Sequence, residues 1–399
     1  MSFELETMSG LDARAVEDQY EIPLYRKRDI ALVRGEGVYL WDADGRRYLD
    51  MMSNYGVNIL GHSHPAVTEA IVEQARTLGN CHQSFYNDTR ARFIAALERL
   101  LPEQLRHVSF SNSGAEAVEA ALKYARAATG RHRILSTKRG YHGRTLGALS
   151  VTGEQKHRTA FLPLLEGCDQ VPYGDLEATS SCLSDAAAII LEPIQGESGV
   201  RLAPPGYLAG LRRLCDEAGT LLIFDEVQTA FRTGRTWAFE HSGAIPDIMA
   251  LSKPLANGLP MGVTVVSDRV REGVPPGSHG STFGGNPLVC AAGAATLSVV
   301  SDPAFNRHVA DTGAVFLDRL RAIRHPLIRE VRGVGLMVAV ELKRNASPFL
   351  QRMQSDGVLA IPAASTAVRF LPPLIVEEEH VNEAADSLER GLHAVGSNS

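Results

Sequence analysis

The chain has 399 residues, of which 44% are hydrophobic and 22% charged, and a formal net charge of −6. That length carries a large domain plus a smaller one, and mild acidity without a long Lys/Arg block argues against nucleic acid as the main partner. Five scattered cysteines with no CxxC pair give no zinc or disulfide framework, and no apolar run approaches a membrane span. Without an N-terminal leader, a cytoplasmic protein with no membrane partner is expected.

Residues 1 to about 30 are polar and irregular, which predicts a helix and an arm outside the core. Gly37 to Asp50 reads as a hairpin around Asp42-Ala43-Asp44-Gly45. A Gly- and Asn-rich stretch containing Tyr55, His62 and His64 follows, then helices over about 65–78 and 89–101. Two histidines without a third ligand are a poor metal site, so no metal is expected there. Ser113-Gly114-Ala115-Glu116 opens a helix that runs to about residue 129, with Gly130 as its C-cap. Ser113 and Glu116 have capping-box spacing. The small residues leave backbone N–H groups free for an anion, so Ser113, Gly114 and Ala115 are a candidate phosphate cradle. Many helices begin this way, and the chain has no GxxxxGK[ST] nucleotide loop.

Ile134 to Ser136 reads as a strand, and Tyr141 and Arg144 beside Gly143 can supply an aromatic lid and a carboxylate clamp. Ala186 to Leu191 is a buried strand ending in Glu192-Pro193-Ile194-Gln195-Gly196-Glu197, and a helix spans about 207–218. Two further apolar runs are too short for helices. Leu221 to Phe224 ends on Asp225 and Glu226; Ile248 to Leu251 ends on Ser252 and Lys253. Helices between such runs predict a parallel α/β sheet, whose ligands bind beyond the carboxyl ends of the strands. A lysine at that rim can form a Schiff base with the carbonyl of pyridoxal phosphate, and an acid can hold the pyridine nitrogen protonated. Lys253 and Asp225 suit those roles; from these two residues alone, a surface lysine and an ordinary strand-end acid remain as open.

Residues 262–267 read as a strand, and the Gly-rich loop from His279 to Pro287 precedes an Ala-rich helix. After a break at Asp302-Pro303 come a helix over about 305–323 and a strand pair over 330–338 with a Gly turn. Next are a short strand carrying Arg369 and a last amphipathic helix behind the acids 377–379. The expected division is an arm and hairpin over 1–65 that joins the smaller domain, a large cofactor-binding domain over 66–300, and a small α+β domain over 301–399.

In order, the segments SNSGAEAVEAALKYAR, YHGRT, EPIQGESGV, DEVQT, SKPLANGLP, HGSTFGGNP and VRFLPPL resemble the class III aminotransferases. The resemblance runs from about Tyr25 to about Leu392 and is strongest to the acetylornithine aminotransferases and the related enzymes that act on a carrier-linked lysine. It implies the fold type I architecture of pyridoxal-phosphate enzymes: a mostly parallel central sheet flanked by helices plus a smaller α+β domain. It implies pyridoxal 5'-phosphate, amino-acid and 2-oxoglutarate substrates, a homodimer with shared sites, and for some members an amino-group carrier protein. By resemblance Lys253 is the Schiff-base lysine and proton carrier, and Asp225 the partner of the pyridinium. Gln228 contacts the ring hydroxyl, Tyr141 and Val227 flank the ring, and Gly114 and Ala115 hold the phosphate. Thr282 reaches the phosphate of the neighbouring subunit. Arg144 and Arg369 bind the substrate carboxylates, Glu197 pairs with Arg369 when no second carboxylate is present, and Tyr25 and Tyr55 join the substrate set.

Pro254, Asn257 and Ala230-Phe231 depart from the family pattern, and Tyr55 is closer to the ornithine and carrier-linked lysine enzymes. The expected activity moves the terminal amino group of N2-acetylornithine, or of a carrier-linked lysine, to 2-oxoglutarate in arginine or lysine biosynthesis. Ornithine δ-aminotransferase is the nearest alternative, an aminomutase or racemase a more distant one, and a non-catalytic binding protein another. The dicarboxylate clamp favours transamination over the other cofactor chemistries, and an intact Lys253/Asp225 pair argues against lost activity.

Overall fold

The computed structural model describes residues 12–396. The expected N-terminal arm therefore lies partly outside the described residues, and what is described of it is the helix Ala13–Tyr20, which buries no side chain. Seven strands form the central sheet, in the order His107–Ser111, Gly262–Val266, Ile248–Leu251, Leu221–Asp225, Ala186–Leu191, Arg133–Thr137, Cys168–Val171. Only Gly262–Val266 runs antiparallel to its neighbours.

The apolar runs are continuous because both faces of the sheet are covered. Leu221 and Ile223 pack under the helix Gly114–Thr129, against Ala117, Ala121 and Ala125. Leu222 and Phe224, on the opposite pleat, join the larger core with Tyr207, Leu211 and Cys215 of the helix Tyr207–Ala218. Asp225 lies in register with Ala250, so the ends of the two central strands bring Asp225 and Lys253 to one rim.

Two smaller sheets flank this layer. One joins Leu32–Glu36, Tyr39–Asp42 and Arg47–Asp50 to Val358–Leu359, with Leu49 opposite Val358 in parallel. The other is antiparallel: Ile328–Val334, Met337–Leu342, Ala367–Phe370 and Ile361–Ala363. Helices Pro303–Ala322, Ser347–Ser355 and Glu378–Gly396 pack around it. Among the described residues no single helix is long and apolar enough to cross a membrane. His62 Nε2 donates to Asp50 Oδ2 at 2.8 Å, and His64 Nδ1 is buried without a partner among the described residues.

The Tyr55 segment folds as a left-handed turn. Ser53, Asn54, Tyr55 and Gly56 all have positive φ, from 38° to 90°. Side chains dislike this region, at about 1–3 kcal/mol each, so the surroundings must enforce it. The buried Asp50 does so: its Oδ1 accepts from the amides of Met52 at 3.0 Å and Ser53 at 2.8 Å. Ser53 Oγ donates to the Leu371 carbonyl at 2.6 Å.

The unusual residues after Lys253 also have a local reason. Asn257 sits at φ 42°, a conformation that asparagine tolerates better than most residues. Its Oδ1 accepts from the Leu60 amide at 2.8 Å, and its Nδ2 donates to the Gly61 carbonyl at 3.0 Å. Asn257 thus staples the lysine loop to the segment after Tyr55. Asn257→Gly should lower stability by about 1–3 kcal/mol through the lost bonds, and Asn257→Ala by more, since alanine adds backbone strain. Urea unfolding of both variants checks this; an alanine variant as stable as the glycine one would contradict it.

Candidate active site

A cavity of about 300 Å³ opens at the sheet rim. Gly114, Ala115, Tyr141, Arg144, Val227 and Lys253 line it, together with Asp225, Glu197, Gln228 and Tyr25. Short apolar strands deliver the two central groups. Asp225 closes Leu221–Asp225 and is buried. Lys253 follows Ile248–Leu251, and Ser252 Oγ ties its neighbour to the Met261 carbonyl at 2.6 Å. Burial lowers the pKa of the Lys253 ammonium; Glu197 and Asp225 oppose that shift while Arg369 adds to it. A neutral amine is what attack on a carbonyl needs.

Asp225 is oriented on both oxygens. Its Oδ1 accepts from the Val227 amide at 3.0 Å, and its Oδ2 is 2.7 Å from Nδ1 of the buried His142. The residue reading overlooked His142. It lies beside Tyr141 in sequence, yet its partner is 83 residues away and visible only in the fold. Glu192 was read only as a strand end. Its Oε1 accepts from the Tyr141 amide and its Oε2 from the Gly196 amide, each at 2.9 Å, so one buried carboxylate ties two walls of the cavity. Burial pushes Glu192 up to about 7, against the opposing pull of His142 and these amides.

The helix Gly114–Thr129 points its N-terminus at the cavity, and Ser113 is its N-cap, accepting from the Glu116 amide at 3.2 Å. Glu116 completes the cap by accepting from the Asn112 amide at 2.6 Å, one residue earlier than the expected partner. A Cβ at Gly114 would lie 2.9 Å from Val227 Cγ1, so glycine keeps the helix end open. At Gly196 a Cβ would come within 1.8 Å of Gln228 Oε1, so the chain passes Gln228 with no room for a side chain.

Arg369 is fully buried on the strand Ala367–Phe370. Its Nη2 donates to Glu197 Oε1 at 2.9 Å and its Nη1 to Gln228 Oε1 at 3.0 Å. Gln228 Nε2 in turn donates to Glu197 at 3.3 Å, so in this state Gln228 serves the arginine–acid pair. Burial works against the Glu197 charge, but Arg369 and then Lys253 hold its carboxyl down at about 2. Arg144 lies exposed at the mouth, its guanidinium 5.7 Å from the Tyr25 ring. Tyr55 is partly exposed on its left-handed turn and does not line the cavity as found. Thr282 lies outside it, on the exposed loop beside a second hollow with Ser111, Asn112 and Glu116.

The residues suit pyridoxal phosphate. A desolvated lysine, a buried carboxylate and an open helix N-terminus with small residues all face one cavity. These are the groups a carbonyl, a ring nitrogen and a phosphate require.

The family model described as aminotransferase class-III matches residues 24–392. A [LysW]-aminoadipate semialdehyde transaminase of Deinococcus radiodurans is 45% identical over 386 residues, covering 96% of this chain and 90% of that protein. An acetylornithine aminotransferase of Methanopyrus kandleri is 42% identical over 390 residues, 97% of this chain and 100% of its own. Among solved structures, the ornithine aminotransferase of Toxoplasma gondii superposes with a TM-score of 0.92 at 32% identity, covering 97% of this chain and 95% of that one.

Proposed function

We propose a substrate class from one premise: the chain belongs to the class III aminotransferases, and so is a pyridoxal-phosphate-dependent enzyme that transfers amino groups. Its reaction moves the terminal amino group of N2-acetylornithine, or of a carrier-linked lysine, to 2-oxoglutarate. A semialdehyde and glutamate result, as steps of arginine or lysine biosynthesis. The names of the Deinococcus and Methanopyrus relatives support both donors. One observation carries the reading: Arg369 is capped by Glu197 at 2.9 Å, while Arg144 stands open at the mouth. Two guanidinium groups at separate points suit a dicarboxylate, and an internal acid that caps one of them suits a partner with a single carboxylate.

When bound, the cofactor supplies the carbonyl that takes the amino group and an electron sink for the breaking C–H bond. The chain's own groups do the rest. Lys253 Nζ would be the base that takes the proton from the carbon bearing the amino group and holds it for return. Asp225 would hold the ring nitrogen protonated, and His142 Nδ1, 2.7 Å from its Oδ2, fixes the orientation of that carboxylate. Tyr141 and Val227 line the cavity and would flank the ring, while Gly114 and Ala115, also in its lining, would hold the phosphate. Arg144 binds the carboxylate far from the reacting amine.

The domain division at about residues 65 and 300 is part of the same reading, supported by the pairing of Arg47–Asp50 with Val358–Leu359. A homodimer is supported by the exposed apolar side chains Phe85, Tyr86 and Phe283 beside Thr282, which would reach the partner's phosphate. A cytoplasmic location belongs to the reading too. Free ornithine is a second donor, favoured by Tyr55 at the segment that faces solvent. A panel of the three donors with 2-oxoglutarate, following glutamate formation, separates them.

The two arginines give the sharper test. Glutamate places a carboxylate beside its reacting amine; a terminal-amino donor has none there. Arg369→Ala should weaken the glutamate and 2-oxoglutarate half-reaction by about 2–4 kcal/mol, roughly 30- to 1000-fold in specificity constant. The other half-reaction should fall by less than about tenfold. Single-turnover kinetics on each half-reaction checks this, and equal losses would remove the terminal-amino reading.

A further inference from the structure

Arg144 stands on a short connection that is rooted at both ends. On one side, Gly143 has φ 130°, and a Cβ built there would lie 2.7 Å from Ala115 Cβ and 3.1 Å from Ala148 Cβ. On the other, the helix Leu146–Val151 starts behind Thr145, whose side chain makes no capping bond. The first amides of a helix have no acceptor within it. Here Glu119 supplies one from another element: its Oε1 accepts from the Gly147 amide at 2.9 Å and from the Ala148 amide at 3.1 Å. A Cβ on Gly147 would fall 2.2 Å from Glu119 Oε2, so glycine is what lets the carboxylate approach.

Ala115 and Glu119 are four residues apart on the helix Gly114–Thr129, one turn apart on the same face. That face brackets Arg144. Ala115 packs against the residue before it, and Glu119 holds the amides three and four residues after it. The same helix opens with Gly114 and Ala115 in the cavity lining. Thr152 adds a tie, its Oγ1 accepting from the His142 amide at 3.0 Å, but that bond closes the segment on itself. Arg144 is exposed, and a guanidinium on a long flexible stem takes its aim from its backbone.

We propose that Glu119 is a positioning residue that fixes Arg144 at a set distance from the phosphate cradle, so that one helix holds both the phosphate end and the carboxylate end of the site. The inference rests on the reading of Arg144 as the group that binds the distal carboxylate in both half-reactions. Each substrate must span the reacting carbon and that guanidinium, so a shift of about 1 Å in the Arg144 backbone is felt by both. Lys253 and Asp225 are delivered by the strands Ile248–Leu251 and Leu221–Asp225, which Glu119 does not hold. Loss of Glu119 therefore weakens carboxylate capture without slowing the chemistry.

The test measures each half-reaction of the holoenzyme by single turnover, one with glutamate and one with N2-acetylornithine. Glu119→Ala should raise the half-saturating concentration of both roughly ten- to thirtyfold, while the maximal rates stay within about threefold. Glu119→Gln keeps an oxygen for the two amides and drops only the charge, so it should stay within about threefold of the parent in both respects. Gly147→Ala crowds the carboxylate from the other side. It should reproduce the Glu119→Ala pattern, and it decides the matter if Glu119→Ala does not fold. Maximal rates that fall with the affinities, cofactor released from the Glu119→Ala enzyme, or a glutamine variant as impaired as the alanine one would show a general structural role and overturn the proposal. Unchanged half-saturating concentrations would overturn it too. Arg144→Ala is the control for the reading beneath it: if both concentrations stay unchanged there, Arg144 does not bind the carboxylate, a separate failure visible whatever the Glu119 variants do.

Discussion

Lys253→Ala should abolish turnover, with an expected loss of roughly 10⁴-fold or more. Among the described residues no other lysine lines the cavity, so neither covalent attachment of the cofactor nor proton transfer would have a substitute. The effect is large because one amine serves both steps, and because burial holds it in the neutral, nucleophilic form more than water would. Gly114, Ala115 and Asp225 do not depend on Lys253 for their positions, so the variant should still retain the cofactor noncovalently. Two measurements check this. Glutamate formation reads the loss, and borohydride reduction of the parent enzyme followed by peptide mapping locates the attached lysine. A label on any other lysine would sink the assignment.

The second large effect belongs to Asp225. Asp225→Ala should leave the cofactor bound but slow proton abstraction by several kcal/mol, on the order of 10²–10⁴-fold. The alanine removes the carboxylate paired with His142 Nδ1 and would leave both that nitrogen and the ring nitrogen without an anionic partner in a buried site. Since C–H cleavage should then limit the rate, deuterium at the reacting carbon of glutamate should slow the variant more than the parent. Unchanged turnover, or an unchanged isotope effect beside slower turnover, would place the essential acid elsewhere.

The residues that could be read from the sequence share a property. Lys253, Asp225 and Glu197 follow short apolar runs, and strand ends at a parallel sheet rim are where chemistry collects. Gly114 and Ala115 announce themselves by opening an amphipathic helix. Family resemblance added Arg369, Gln228 and Thr282, whose own surroundings say little. What stayed hidden depends on partners far along the chain. His142 acquires its role from Asp225, 83 residues along the chain. The strand Leu32–Glu36 was missed because LVRGE is too polar to show alternation, and Cys168–Val171 because CDQV is four residues at a sheet edge. Neither carries its own signal; pairing decides both. The left-handed run from Ser53 to Gly56 was nearly as silent, since only Asn54 and Gly56 tolerate positive φ well and the run also takes in Ser53 and Tyr55.

The parallel pairing of Leu49 with Val358 also sets an order in time. A ribosome adding about 5–20 residues per second needs roughly 15–60 s to pass from the first of these positions to the second. Until then the strand Arg47–Asp50 has a hairpin neighbour on one side and an unpaired edge on the other. Leu359 supplies the carbonyl that receives the Met51 amide, and Leu371 supplies the one that receives Ser53 Oγ. The turn that presents Tyr55 thus lacks its far-end partners while the nascent chain already holds the central sheet's strands. The Tyr55 turn closes last, and during synthesis the exposed early edge is the segment most open to mispairing or to a chaperone.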